Sequence, residues 1–407
     1  MSGPAPLPRA ELSGLLDQSR PGSMLPAAAY CDPAVLDWEN EVLFAGGWLC
    51  VGRSDGFANP GAQRALSVAD DTVLLIHGND GVLRGFYNTC RHRGHELLPC
   101  GQTATRRFVS CPYHNWVYDL EGRLHGVPPS QRDDLDKSSF GLVAVPVVEW
   151  QGFVLVNASV DAPPVEQYLA GIDAHLEPYE CQRLTVLASH EYEVAANWKL
   201  LVENYHECYH CSSIHPELCR VSSPSSGWEV KSDGLWCGGT LELEPQAATM
   251  SFDGHSDGVV MRGVDEQVAR QVLYLQVFPN LLLSLHPDYL MTHRVEPLGP
   301  DRSWVQCQWL FPPEALARPG FDPAYAVDFW DLTNRQDWTA CESVQRGLTS
   351  RGFSPGPLAE VYEKTMRDSI TMLARAYLDG RLPRSLTDAQ ANVMQGKDPA
   401  VPVRGRS

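Results

Sequence analysis

Long apolar runs are missing from this 407-residue sequence. Its best candidate, Leu281-Leu282-Leu283-Ser284-Leu285, falls far short of the ~20 residues that a membrane-spanning helix needs, so no membrane partner is expected. The stretch Met1 to Arg9 lacks the basic-then-apolar order of a secretion signal, and a cytoplasmic location is the expectation that follows. Positive charge is also scarce. The 32 Lys and Arg stand against 50 Asp and Glu, for a formal charge of −18. That balance argues against nucleic acid or anionic lipid as a partner and suits a cationic substrate or a basic redox partner. No internal repeat is present. Twelve cysteines might suggest a disulfide framework, but without a secretion signal they are expected to be reduced thiols and metal ligands.

What the chain does carry is concentrated between Cys90 and His114. Cys90-x-His92 and, 18 residues on, Cys111-x-x-His114 present two Cys and two His as paired knuckles. Two soft thiolates and two imidazoles suit either a structural zinc or a [2Fe–2S] cluster with two His on one iron. A zinc knuckle groups Cys with Cys and His with His. Each pair here mixes one sulfur with one nitrogen, so each loop can give its Cys to one iron and its His to the other. In this the sequence resembles the Rieske iron–sulfur proteins, whose C-x-H…C-x2-H signature Cys90, His92, Cys111 and His114 match. Gly94, Pro112, Gly122 and Gly126 permit the tight turns such loops need. Arg91, Arg93, Arg106 and Arg107 read as solvated charge.

The length exceeds what one hydrophobic core usually supports. Residues 1–20, with a short helical pattern over 10–18 in Leu12, Leu15 and Leu16, are expected as a loosely held arm. Asp32 then caps a helix over 34–44 with Pro33 in its first turn and Val35, Trp38, Val42 and Leu43 inward. Short strands follow at 48–53, 65–68, 72–77, 82–87, 107–110, 116–119, 143–150 and 153–157, joined by turns such as Asn79-Asp80-Gly81 and Glu121-Gly122. Many short strands at close spacing predict a small all-β domain with the four ligands in its loops. After Ala162-Pro163-Pro164 come a helix near 165–176 and strands at 184–194, 235–243, 271–278, 281–286, 289–296 and 303–311. Residues 254–265 read as a mobile loop, 323–348 and 357–378 as long helices, and the tail after Arg384 as frayed.

A second cluster of ligand-type residues runs from Asn197 to Pro216. His206-Glu-Cys-Tyr-His210 fits H-E-x-x-H, the zinc hydrolase pattern of two His on one helix face with a Glu as base. A hydrolase has no use for an iron–sulfur cluster upstream. His210 and His215, five residues and about 140° apart on a helix, meet at one metal only if the helix ends between them, which Ser212-Ser213 and Pro216 favour.

This segment resembles the catalytic iron site of the Rieske non-haem iron oxygenases, in which [DE]-x-x-H-x4-H supplies a carboxylate bridge and two ligands. By that match Glu207 is the bridge, His210 and His215 are ligands, and His206 is left as a packing residue. The third ligand matches Asp337 in the run Asn334 to Leu348, with Asp331 and Glu342 as competitors; two His and one carboxylate leave one face of the metal open.

The resemblance implies an α+β chain. Residues 1–44 form an N-terminal arm and helix packing on the catalytic domain, 45–160 a small all-β Rieske domain, and 161–407 a helix-grip catalytic domain with a curved antiparallel sheet. It further implies a [2Fe–2S] cluster, a mononuclear Fe(II), O2 as cosubstrate, and electrons from NAD(P)H through a separate flavin/iron–sulfur reductase. A homotrimer is implied, with Glu207 linking His210 to His114 of the partner subunit. The motif E-N-Y-H-E-C-Y-H-x4-H-P is most like the branch acting on glycine betaine, choline and carnitine, where hydroxylation of an N-methyl group releases formaldehyde. An aromatic-ring or natural-product hydroxylase is the alternative. A methylated ammonium calls for an aromatic box, with Tyr205, Tyr209, Trp228, Trp236, Tyr274, Phe278, Tyr289 and Trp330 as candidates.

Overall fold

The computed structural model describes residues 3–17, 21–129, 135–159 and 161–391. Asp32 does cap the helix Pro33–Glu39, its side chain accepting from Ala34 N at 2.9 Å, with Pro33 in the first turn. The helix continues as a π-helical stretch over Asn40–Phe44. The segment before it is not a loose arm. Helix Arg9–Leu15 packs on the late helix Lys364–Asp379, Leu12 and Leu16 are buried, and Ala5 N donates to Tyr377 O at 2.9 Å. The leucine spacing announced an apolar stripe but could not name what covers it.

Short antiparallel strands fill residues 49–156. The central sheet runs Thr103–Thr105, Ala62–Val68, Asp71–His77, Leu83–Tyr87, Ala144–Val145. Both of its faces are covered: Val73 and Leu75 join the main core, whereas Leu74 and Ile76 enter a separate small core with Phe86, Trp116, Tyr118, Cys90 and Cys111. Double coverage is why the strand reads as an unbroken apolar run. A second sheet of Val109–Ser110, Val117–Tyr118 and Leu124–Gly126 sits on the small core and carries the second knuckle. Thr103–Thr105 and Leu124–Gly126 went unpredicted, since three residues are too few to show a period. Gly122 is required twice over: its φ is +81°, and a Cβ there would meet a Phe86 ring carbon at 2.3 Å.

The remaining sheet is seven-stranded and antiparallel throughout, in the order Thr185–Val194, Arg302–Phe311, Leu290–Gly299, Leu281–Leu285, Gln271–Val277, Trp236–Glu242, Trp228–Val230. Alternation along its strands puts Gln276, Ser284, His293 and Cys307 on one face. Two helices lie across that face. Trp198–Tyr205 is tied by Tyr205 Oη donating to Leu283 O at 2.7 Å and by His206 Nε2 with Gln276 Oε1 at 2.8 Å. Ala324–Leu348 is tied by His293 Nε2 with Asn334 Oδ1 at 3.1 Å. This is the expected helix-grip arrangement. Trp198–Tyr205 is also anchored to the N-terminal region: the fully buried Lys199 Nζ lies 2.7 Å from Glu39 Oε1, and the same carboxylate accepts from Trp198 Nε1 and Tyr377 Oη.

Four segments differ from what the sequence predicts. The helix near 165–176 is two short ones, Val165–Tyr168 and Asp173–Leu176, parted at Gly171. Residues 254–265 are irregular but pinned, with Met261 and Val264 buried and Met261 N donating to Pro287 O at 2.9 Å. The last long helix begins at Lys364, and residues 357–363 form turns. Part of the tail is ordered: Leu386–Ala391 is helical with Leu386 and Ala389 buried, and 392–407 lie outside the described residues. Among the described residues no helix is long and apolar enough to cross a membrane.

Candidate functional site: two metal-type centres

At the first centre the four knuckle residues pair like with like. Cys90 and Cys111 are buried and in thiol-to-thiol contact, while the rings of His92 and His114 meet edge to face at 4.7 Å nearer the surface. Trp116 stacks on His92 at 5.0 Å. Tyr118 Oη lies 3.3 Å from Cys90 Sγ and accepts from Arg91 N at 3.0 Å, so a donor is already aimed at the sulfur. Burial pushes the Cys90 thiol up, against the pull of Tyr118. Two sulfurs on one side and two imidazoles on the other fit a two-iron cluster; a single tetrahedral zinc draws all four donors to one point.

Among the described residues, the group whose ligand atoms do lie within 4.8 Å of one another is His210, His215 and Asp337. The Trp198–Tyr205 helix stops at His206, earlier than the predicted break at Pro216, and a separate short helix, Cys211–Ile214, follows. Two breaks rather than one remove the 140° mismatch. Asp337 arrives from the long helix Ala324–Leu348; its Oδ1 is 2.9 Å from His215 Nε2 and 3.3 Å from His210 Nε2. Each imidazole is oriented from behind. His210 Nδ1 bonds Glu207 Oε1, and His215 Nδ1 bonds Gln336 Oε1 at 2.7 Å. With both Nδ1 atoms engaged, both Nε2 atoms face the carboxylate, the donor set of a two-His, one-carboxylate iron centre. Burial would raise the Asp337 carboxyl, yet the two histidines bring it below its usual value. Burial would likewise lower His210, but Asp337 and Glu207 pull it up to about 10.

The competitors fall elsewhere. Asp331 accepts from Tyr192 Oη and pairs with Arg335, and Glu342 accepts from Ala195 N. His206 bonds Gln276 and shares no helix with His210, so the H-E-x-x-H reading has no geometry behind it. Gln336 was missed; adjacency to Asp337 was its only signal. One expectation about cysteine is overturned: Cys208 and Cys211 are joined by a disulfide across His210, where reduced packing thiols were expected.

Above the three ligand-type residues opens a cavity of about 710 Å³. Of the eight aromatic candidates Tyr205, Trp228, Tyr274 and Trp330 line it. Trp236, Phe278 and Tyr289 are core residues, and Tyr209 is 60% exposed and stacked on Tyr362. Trp338 and His293, unanticipated, complete the wall: Tyr205 contacts Tyr274 at 5.8 Å and His293 at 5.9 Å, and His293 meets Trp338 at 6.0 Å. Three buried polar atoms of this wall, Tyr274 Oη, His293 Nδ1 and Trp338 Nε1, have no partner within the protein. Acidic residues dominate the lining, with Glu207, Glu229, Asp337, Glu360 and Glu363 against Lys364 and Arg367.

A two-domain architecture with this pair of centres defines an oxygenase that couples a Rieske cluster to a mononuclear iron. Residues 47–149 match the Rieske [2Fe-2S] domain and 181–378 the ring hydroxylating alpha subunit catalytic domain. The chain belongs to the Rieske non-haem iron oxygenases, as an oxygenase (α) subunit. It is 30% identical to a glycine betaine monooxygenase oxygenase subunit of Chromohalobacter salexigens, over 94% of this chain and 93% of that protein. It is 37% identical to a carnitine monooxygenase oxygenase subunit of Acinetobacter baumannii, over 81% of this chain and 86% of that protein. Its fold is similar to that of a quaternary ammonium Rieske monooxygenase, with a TM-score of 0.75 at 24% identity over 92% of this chain and 99% of that one.

Proposed function

We propose that this chain is the oxygenase component of a two-component monooxygenase that hydroxylates an N-methyl group of a quaternary ammonium compound. The reaction takes the methylated ammonium, O2, two electrons and two protons to the N-hydroxymethyl ammonium and water. Loss of the hydroxyl proton then releases formaldehyde and the demethylated amine. The observation that carries this reading is the cavity itself: aromatic faces and an acid-rich lining lie directly over a two-His, one-carboxylate set. A methylated ammonium has no N–H to offer, so ring faces and nearby carboxylates are what recognise it. The named relatives, glycine betaine and carnitine monooxygenase subunits, support the same class.

When bound, the cluster supplies single electrons and the mononuclear iron activates O2. Cys90, His92, Cys111 and His114 hold the cluster, and His210, His215 and Asp337 hold the iron. Glu207 fixes the tautomer and orientation of His210 and forms the link towards His114 of the partner subunit within a homotrimer. Tyr274 Oη meets the oxygen function, hydroxyl or carboxylate, that accompanies the ammonium group in such substrates. Residues 45–160 are the electron-carrying unit and 161–407 the oxygenating unit, with 1–44 packed on the latter. A separate flavin/iron–sulfur reductase delivers electrons from NAD(P)H, and the system is cytoplasmic. An anaerobic panel tests the reading: glycine betaine, choline, carnitine and simple aromatics are each added to the Fe(II) protein, and perturbation of the iron spectrum is recorded. Quaternary ammonium compounds should perturb it; a response to the aromatics alone overturns the assignment.

A further inference from the structure

Cys208 and Cys211 lie on either side of Tyr209 and His210 and are joined to each other. No other cysteine among the described residues is bridged: apart from the cluster ligands Cys90 and Cys111 the rest are free thiols, including the exposed Cys100. A single bridge in a chain of thiols is of the kind that forms and breaks in service, as intracellular disulfides commonly do. Its position is unusual. The bridge closes the backbone loop that carries His210, and Cys211 Sγ sits 3.9 Å from His210 Nε2, the atom that faces Asp337. A freed thiol there is a soft donor within a small rotation of the metal position, and a coordinated thiol gives up its proton outright.

We propose that Cys208–Cys211 is a reversible thiol–disulfide site, and that Cys211, once released, is an additional sulfur ligand to the metal held by His210, His215 and Asp337. The inference rests on that trio binding the mononuclear iron. Opening requires a dithiol. Its thiolate attacks the half-buried Cys208 Sγ, the buried Cys211 leaves as a thiolate, and the second thiol resolves the mixed disulfide. The dithiol loses two electrons and two protons, and the pair gains them. Closing requires a peroxide: one thiol becomes a sulfenic acid with release of water, and the other displaces a second water to form the bridge. The bridged form keeps both sulfurs off the metal and His210 in place. The open form adds sulfur to the coordination sphere and occupies a position that O2 needs.

The test uses the cluster-containing protein with Co(II) loaded at the mononuclear site and metal content measured on every sample. Alkylation and peptide mass spectrometry should find Cys208 and Cys211 protected as isolated, alkylated after dithiol, and protected again after peroxide. A sulfur-to-cobalt absorption band should appear in dithiol-treated wild type and in untreated Cys208→Ser, and in neither form of Cys211→Ser. Free thiols at both positions before dithiol and after peroxide overturn the bridge. A missing band with cobalt bound and the bridge open overturns the sulfur ligand and leaves the iron reading intact, whereas wild type that binds no metal overturns both. The wild-type comparison with and without dithiol decides the matter even if a variant fails to fold.

Discussion

Metal binding at the mononuclear site should weaken steeply as pH falls, and His210 sets the size of the effect. Burial acts to lower this imidazole, but Asp337 and Glu207 on either side of it outweigh burial and raise it to about 10. The sign follows directly. Below that value the empty site holds an extra proton, and a metal must displace it to reach Nε2, so affinity rises with pH. At pH 7 the competent fraction of the empty site is about one part in 10³, a handicap of about 4 kcal/mol. The apparent binding constant should climb about tenfold per pH unit between pH ~7 and ~9, with one proton released per metal. Anaerobic Fe(II) titration of protein stripped of its mononuclear iron, by calorimetry in buffers of different ionisation enthalpy, measures both quantities. Glu207→Gln leaves Asp337 as the one carboxylate on His210, so its curve should level off at lower pH. A wild-type constant that stays flat over this range refutes the reasoning.

Three further outcomes are expected. Glu207→Gln should keep cluster and iron, by metal analysis, while turnover falls about 100-fold, since the carboxylate orients His210 and, on the proposed function, links the centres; product formation at the wild-type rate with both metals present rules out the bridge. Glu39→Gln removes the ion-pair partner of the fully buried Lys199 and should lower unfolding free energy by about 3–5 kcal/mol in urea, whereas the double change Glu39→Leu with Lys199→Met should lower it much less. Equal losses in the two proteins would show that the ion pair is not what anchors the Trp198–Tyr205 helix. Tyr274→Phe removes a hydroxyl that has no partner inside the protein, so stability should change by less than ~0.5 kcal/mol. KM for quaternary ammonium substrates bearing an oxygen function should rise about tenfold, while binding of tetramethylammonium is unchanged; a parallel loss for both ligands would place the hydroxyl away from the substrate.

Much of the chemistry was legible in the chain itself, because ligand sets close in sequence are fixed by local geometry. Cys90 with His92 and Cys111 with His114 are two short loops, and the mixing of sulfur and nitrogen within each already distinguished a cluster from zinc. His210 and His215 likewise sit on either side of a short helix. The small all-β domain and most strands followed from short, closely spaced strand patterns, the helix-grip class from the family resemblance, and the cap at Asp32 from side-chain chemistry.

What the chain alone could not decide depends on contacts between distant segments. Asp337 is 122 residues from His215, and apart from the family match nothing local distinguishes it from Asp331; the face of the long helix turned towards the sheet does so. Gln336, His293 and Trp338 became site residues for the same reason, and Trp236, Phe278 and Tyr289 became core. Residue types and spacing thus pointed to the metal chemistry of this chain, whereas the packing of helices across the curved sheet decided which side chains line the cavity, because burial and approach are properties of assembled surfaces and not of neighbours in sequence.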